Sequence, residues 1–217
     1  ICADKAHAAG LLLGFHTLSN FINTDDPYVS PVPDDRLSLT GASILIKDMD
    51  ADTKEIEVAA SEYFNQQENN NLHAVKIGKE LIRYKSATNT SPFKLLDCQR
   101  GAFGTTAAAH HAGDTVGKLF DHPYNVFFPD INMQRETAKN IASLMNETGV
   151  DHMDFDGHEG GLASGQGDYG VELFAKDVYD EVTRRMNSLA PSSERQWGKM
   201  NVAQMLAHLQ MQIEVAY

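Results

Sequence analysis

The chain has only two cysteines, Cys2 and Cys98, among its 217 residues. They do not form a C-x-x-C pair, so they supply neither a disulfide framework nor a zinc ligand set, and they leave the redox compartment open. Long apolar runs are also missing. The longest, "GLLLGF" at 10–15, is far below the roughly 20 residues of a membrane-spanning helix. No basic-then-apolar signal segment opens the chain. It begins at Ile1 rather than Met, as expected of a processed product or a fragment. Basic residues are few, 18 Lys and Arg against 30 Asp and Glu, for a net charge of -12. With no long Lys/Arg cluster, nothing offsets repulsion from nucleic acid or an anionic membrane, which argues against either partner.

What is present is a 42% hydrophobic composition, enough for a substantial core in one large domain or two smaller ones. Residues 3–18 read as the end of a helix, a stop at Gly10, and a buried apolar strand ending at His16 and Thr17. The Pro- and Asp-rich stretch 23–35 reads as an irregular connection. Between 37 and 120, short β-type runs ("SILIKD", "EIEVAA", "AVKIGKELIRYKSA", "FKLLDC", "DTVGKLF") alternate with turn residues, which predicts an antiparallel β module. "YNVFFPD" (124–130) then reads as an apolar strand. The stretch 132–149 reads as a helix with Ala138, Ile141, Leu144 and Met145 on one face and Gly149 as its stop.

The next segment, "DHMDFDGHEGG" (151–161), concentrates the chemistry. If it is extended, Asp154, Asp156 and His158 share a face, and Glu159 follows in the turn. A helix, a glycine, a short strand and a polar strand end are the repeat logic of an α/β barrel or open sheet, whose carboxyl ends carry the chemistry. Three readings stay open. An Asp-Gly segment can be an ordinary turn. Asp154, Asp156 and His158 could hold a hard cation, although the spacing matches no standard calcium loop. Two carboxylates in different environments can also divide acid and base or nucleophile roles, as glycoside cleavage requires. Catalysis leads narrowly, with Asp154, Asp156 and Glu159 as candidates and His16 at a second strand end.

The tail has a different character. Val178, Val182, Met186 and Leu189 define one amphipathic helix. Asn201 and Gln204 cap a second, whose apolar stripe is Val202, Met205, Leu206, Leu209 and Ile213.

Three resemblances add to this. "RGAFGTTAAAHHAG" (100–113) is similar to an RG-x-x-GT-x-x-x-H-x-x-G motif of small β modules in phage-tail and carbohydrate-associated proteins. Its His110 and His111 read as turn-packing residues rather than ligands. Together with "GFHTLSNFI" (14–22) and "DFDGHEGG…GQGDYG" (154–170), it makes residues 1–175 resemble bacterial polysaccharide-processing proteins with a glycoside-hydrolase-like (β/α)-barrel. That resemblance implies a polysaccharide or oligosaccharide substrate and a secreted or periplasmic location. It also implies an active site incomplete in this chain, since only two strand units are visible and a barrel has eight.

"MNSLAPSSERQWGKMNVAQMLAHLQMQIEVAY" (186–217) is similar to the opening of DinB-like proteins of the DUF1569 type. Trp197, Gly198, Lys199, Met200, Gln204, Met205 and His208 match their pattern, and the resemblance makes His208 a metal ligand. A lone histidine on a helix is more often packed or solvated. The expected fold is therefore α/β: a partial (β/α)-barrel segment (1–36 and 121–175), an inserted antiparallel β module (37–120) and a C-terminal helical pair (176–217). Such a chain would be a chimera or fragment, joined near 172–182. The alternative to an enzyme is a non-catalytic binding or assembly fragment, or part of a DinB-like metal-binding protein. No cofactor is assigned.

Overall fold

A computed structural model describes residues 1–18, 20–157, 161–162 and 165–188, with side chains to 184. Along the chain the elements are α1 (Cys2–Ala8), β1 (Gly14–Leu18), β2 (Ile22–Asn23), β3 (Leu39–Ile44), β4 (Ile56–Glu57), β5 (Ala74–Ile77) and β6 (Glu80–Arg83). They continue with β7 (Ser86–Ala87), β8 (Lys94–Leu96), β9 (Thr115–Leu119), β10 (Asp121–His122), β11 (Val126–Phe127), α2 (Ile131–Thr148), β12 (His152–Asp156) and α3 (Gly167–Ser188). The chain is mixed α/β with several small sheets, and no closed barrel forms among the described residues. It divides into two compact units. One holds Ile1–Leu18, Arg135–Gly157 and the chain from Glu172 on, and the other holds Ser19–Gln134 and His158–Val171.

In the first unit, β1 and β12 pair in parallel, with Gly14 opposite His152, His16 opposite Asp154 and Leu18 opposite Asp156. Helical residues Ala138, Phe174 and Val178 form a small core on which Ile141 and Phe155 pack. Phe155 meets Phe174 edge-on, ring centroids 5.8 Å apart. Full burial of a side chain such as Phe174 stabilises by about 1.5–3 kcal/mol. Helix α2 stops as its sequence predicts: Gly149 takes φ +69, and its N–H bonds back to the Met145 carbonyl at 3.0 Å, the usual left-handed helix end.

Two expectations in this unit are corrected. The run "GLLLGF" is not a strand buried on both faces. Leu11 and Leu12 precede β1 and are exposed, and β1 alternates exposed with half-buried residues because only one of its faces is covered. On α2 the buried positions are Met133, Gln134, Ala138 and Ala142, whereas Leu144 is 53% exposed. The inward stripe keeps the predicted Ala138, and Ile141 packs on the same core, but Ala142 rather than Leu144 extends it.

The second unit contains the predicted antiparallel β module. A four-stranded sheet has the order β3-β9-β5-β6, beside a three-stranded sheet β4-β8-β7. The segment "AVKIGKELIR" folds as the β5–β6 hairpin, turning at Gly78 with φ +55, a conformation that suits glycine. Leu45, Ile56, Phe64, Val75, Ile82 and Leu95 fill one core. Val29, Leu37, Leu81, Leu119 and Phe127 fill another. The stretch "YNVFFPD" also differs from expectation: it supplies only the two residues of β11, in an antiparallel sheet of order β10-β11-β2. Asn125, at φ +58, makes the tight return from β10, and its carbonyl accepts from the Thr24 N–H.

Helix α3 begins at Gly167 and runs unbroken past 175 and 176. No helix among the described residues is long and apolar enough to cross a membrane. Residues 189–217, with His208 and the second predicted tail helix, lie outside the described residues.

Candidate functional site

In parallel pairing, residues opposite one another point to the same face, and that face repeats every second residue. The register therefore assembles His16, Asp154, Asp156 and His152 on one surface of the β1–β12 pair. All four are exposed, and Met153 and Phe155 lie on the covered face between them. Successive rungs are about 6.6 Å apart, with Asp156 at the last one, where both strands end. Gly157, at φ +64, turns the chain out of the strand at that point. No hydrogen bond or ion pair to a described residue engages the side chains of His16, Asp154 or Asp156. Glu159 and His158 follow the turn and lie outside the described residues.

His152 was not among the sequence candidates, although its even spacing from Asp154 and Asp156 carried the signal. Its position is tied to Gly14. A Cβ at residue 14 would come within 3.2 Å of the His152 ring, so the glycine leaves room for an imidazole across the strand pair.

The opposite end of the strands is structural. The Asp151 carboxylate accepts from His7 Nε2 at 2.7 Å and from the Leu13 N–H at 2.8 Å, and the Asp151 N–H bonds to the Leu13 carbonyl. Burial pushes this carboxyl up, but the His7 and Leu13 bonds outweigh burial and hold it below its usual value. A cleft of about 830 Å3 opens at this end, lined by residues of α1, the start of β1 and the end of α2. It contains none of the candidate carboxylates.

The glycine-rich RG motif in the second unit is also fully used by the fold. Glu80 on β6 is completely buried. It accepts two bonds from the Arg100 guanidinium (2.8 and 2.7 Å), one from the Gly101 N–H (2.9 Å), one from the Ala108 N–H (3.1 Å) and one from His110 Nε2 (2.7 Å). Arg100 then donates to the carbonyls of Ala108 and Asp50. Thr105 Oγ1 accepts from the Leu81 N–H and donates to the Ala102 carbonyl. Gly101 takes φ +58, and a Cβ there would lie 2.9 Å from the Thr105 carbonyl oxygen, so the glycine is required. Burial raises the Glu80 carboxyl, but the five bonds together overcome it and hold the group below the ordinary carboxylate value. This accounts for the motif without any ligand: His110 is buried against Glu80, and His111 is exposed.

Among the described residues, no cluster of three or more His, Cys, Asp or Glu side chains is placed to hold a metal ion. Both cysteines are free thiols, Cys2 exposed and Cys98 buried. No protein-family model matches this chain, and no curated protein matches it.

Proposed function

We propose that the protein acts on carbohydrate, as a glycoside-hydrolase-like polysaccharide-processing protein. Asp156 and Glu159 divide the acid and the base or nucleophile roles, with Asp154 in support and His16 as the neighbouring polar group. The carrying observation is the register that sets His16 opposite Asp154 and puts Asp156 on the last rung of the same open face. Glycoside cleavage needs two carboxyl groups beside the scissile bond, one protonated and one ionised. Asp154 and Asp156, exposed at the carboxyl end of parallel strands and without a partner among the described residues, are placed for that work.

The strand pair is one portion of a larger parallel sheet of the (β/α)-barrel type. β1 and β12 each pair along one edge only among the described residues, and one face of the pair is open, whereas parallel sheets are ordinarily covered on both faces. A right-handed crossover from β12 through α3 would set a further strand beside β12. Substrate encounter outside the cytoplasm, in a secreted or periplasmic setting, accompanies this reading.

The test is release of reducing ends from polysaccharides. Loss of cleavage in an Asp156→Asn, Glu159→Gln double variant supports the assignment, and normal cleavage by that variant sinks it. The two-strand extent of the sheet favours one further reading, a binding or assembly module without cleavage. Saccharide binding with no reducing-end release by the wild type would select that reading. For the DinB-like segment, titration with zinc or nickel is decisive, since absence of binding removes His208 as a ligand.

A further inference from the structure

The second unit contains an open groove of about 450 Å3, lined by Thr40, Gln66, Gln67, Glu68, Asn69 and Phe120. Its volume lies within the range of small-ligand sites, roughly 300–1,000 Å3. What distinguishes it from an ordinary polar loop is how firmly its backbone is held. Lys118 and Asp121 form a completely buried ion pair at 3.0 Å. Burying two charges is costly and is offset only when further hydrogen bonds satisfy them. Here those bonds go to the loop: Lys118 Nζ donates to the Asn69 carbonyl at 3.1 Å, and Asp121 Oδ1 accepts from the Asn71 N–H. Between them, the buried Asn70 amide donates to the carbonyls of Phe64 and Gln66, both at 3.1 Å, and accepts from the Tyr84 hydroxyl at 2.8 Å.

The side chains of Gln66, Gln67 and Glu68 make no hydrogen bond or ion pair with described residues. Amides without a partner among the described residues therefore line an open groove on a fixed backbone. Its wall, Phe120, is half-buried, and its ring occupies the place where a Cβ on Gly165 would lie, 2.6 Å away.

We propose that this groove is a second, non-catalytic subsite for a neutral oligosaccharide, an assignment that rests on the carbohydrate reading above. Each amide offers both a donor and an acceptor, which matches adjacent sugar hydroxyls that do the same. The Phe120 ring offers an apolar surface to the C–H face of a pyranose. Among the described residues no cation lines the groove, and Glu68 adds one negative charge, so sulfated, phosphorylated and uronate sugars are disfavoured. A preorganised loop loses little entropy on binding, and the buried ion pair supplies that preorganisation.

Calorimetric titration of the intact chain with cellohexaose, maltohexaose, xylohexaose and chitohexaose, with hexagalacturonate as the anionic control, tests this. At least one neutral hexamer is expected to bind, and a Gln66→Ala, Gln67→Ala double variant to weaken it at least tenfold with an unchanged urea midpoint. Affinity unchanged in that variant overturns the groove assignment. If that affinity is instead lost in an Asp154→Asn, Asp156→Asn variant, the carbohydrate reading stands without the groove. No binding by any neutral hexamer at millimolar concentration overturns the proposal, as does preferential binding of hexagalacturonate.

Discussion

Glu80, on β6, and Asp154, on β12, each have a histidine as neighbour: His110 bonds to Glu80 at 2.7 Å, and His16 stands opposite Asp154 in the strand register. Glu80 has no exposed surface and accepts five hydrogen bonds. Asp154 is exposed and accepts none from described residues. Residue type and neighbourhood alone do not separate the two. Saturation does: a carboxylate whose lone pairs are all committed inside the protein has none left for a substrate, whereas one facing solvent from a fixed strand has all of them.

The sharpest way to break this contrast is to remove each acid. Glu80→Ala leaves the Arg100 guanidinium and His110 buried without their partner. The expected loss is about 3–5 kcal/mol, a large share of the roughly 5–15 kcal/mol that holds a domain together. Asp154→Asn should stay within about 0.5 kcal/mol of wild type. Urea denaturation followed by circular dichroism measures both, and equal losses would erase the distinction.

Gly101→Ala attacks the same knot through the backbone. Its φ of +58 and the 2.9 Å approach to Thr105 predict a cost of about 1–2 kcal/mol or more. A stability unchanged by this variant would mean that the turn tolerates a side chain.

Acid sharpens the comparison further. The Glu80 carboxyl is held below its ordinary value of 4.5 in the folded chain. The stability it contributes is therefore complete above that value and is lost as pH falls through the lower, folded value. Wild type should lose stability below about pH 4.5 more steeply than Glu80→Gln. Parallel pH profiles for the two proteins would show that Glu80 is not the group responsible.

The smallest effect concerns the thiols. Burial pushes Cys98 up to about 12, and Cys2 is exposed. A thiol-specific reagent near pH 8 should label one cysteine quickly in the native protein and the second only after unfolding. Rapid labelling of both would mean that the core around Cys98 opens readily.

Much of the β module is legible in the sequence, because its strands are short apolar runs separated by turn residues, and turn chemistry is local. The helix over 131–148 is legible for the same reason, through its periodicity and Gly149. The pairing of β1 with β12 is less so. His16 and Asp154 lie far apart in the chain, and only the expectation that parallel strand ends carry chemistry brings them together. The extent of the strand at 126–127 is not legible, because the apolar composition of "YNVFFPD" does not reveal that Asn125 turns it back on β10. Glu80 went unnoticed. Nothing around "IGKELIR" signals a buried acid, and the partners that make it affordable come from a loop 20 residues later.

The most direct test of the central claim compares reducing-end release from neutral polysaccharides by wild type and by an Asp154→Asn, Asp156→Asn double variant, with the urea midpoint of each measured alongside. An exposed working site predicts a loss of cleavage of at least ~100-fold at an unchanged midpoint. Cleavage that persists in the variant, or wild-type protein that releases no reducing ends, would contradict it.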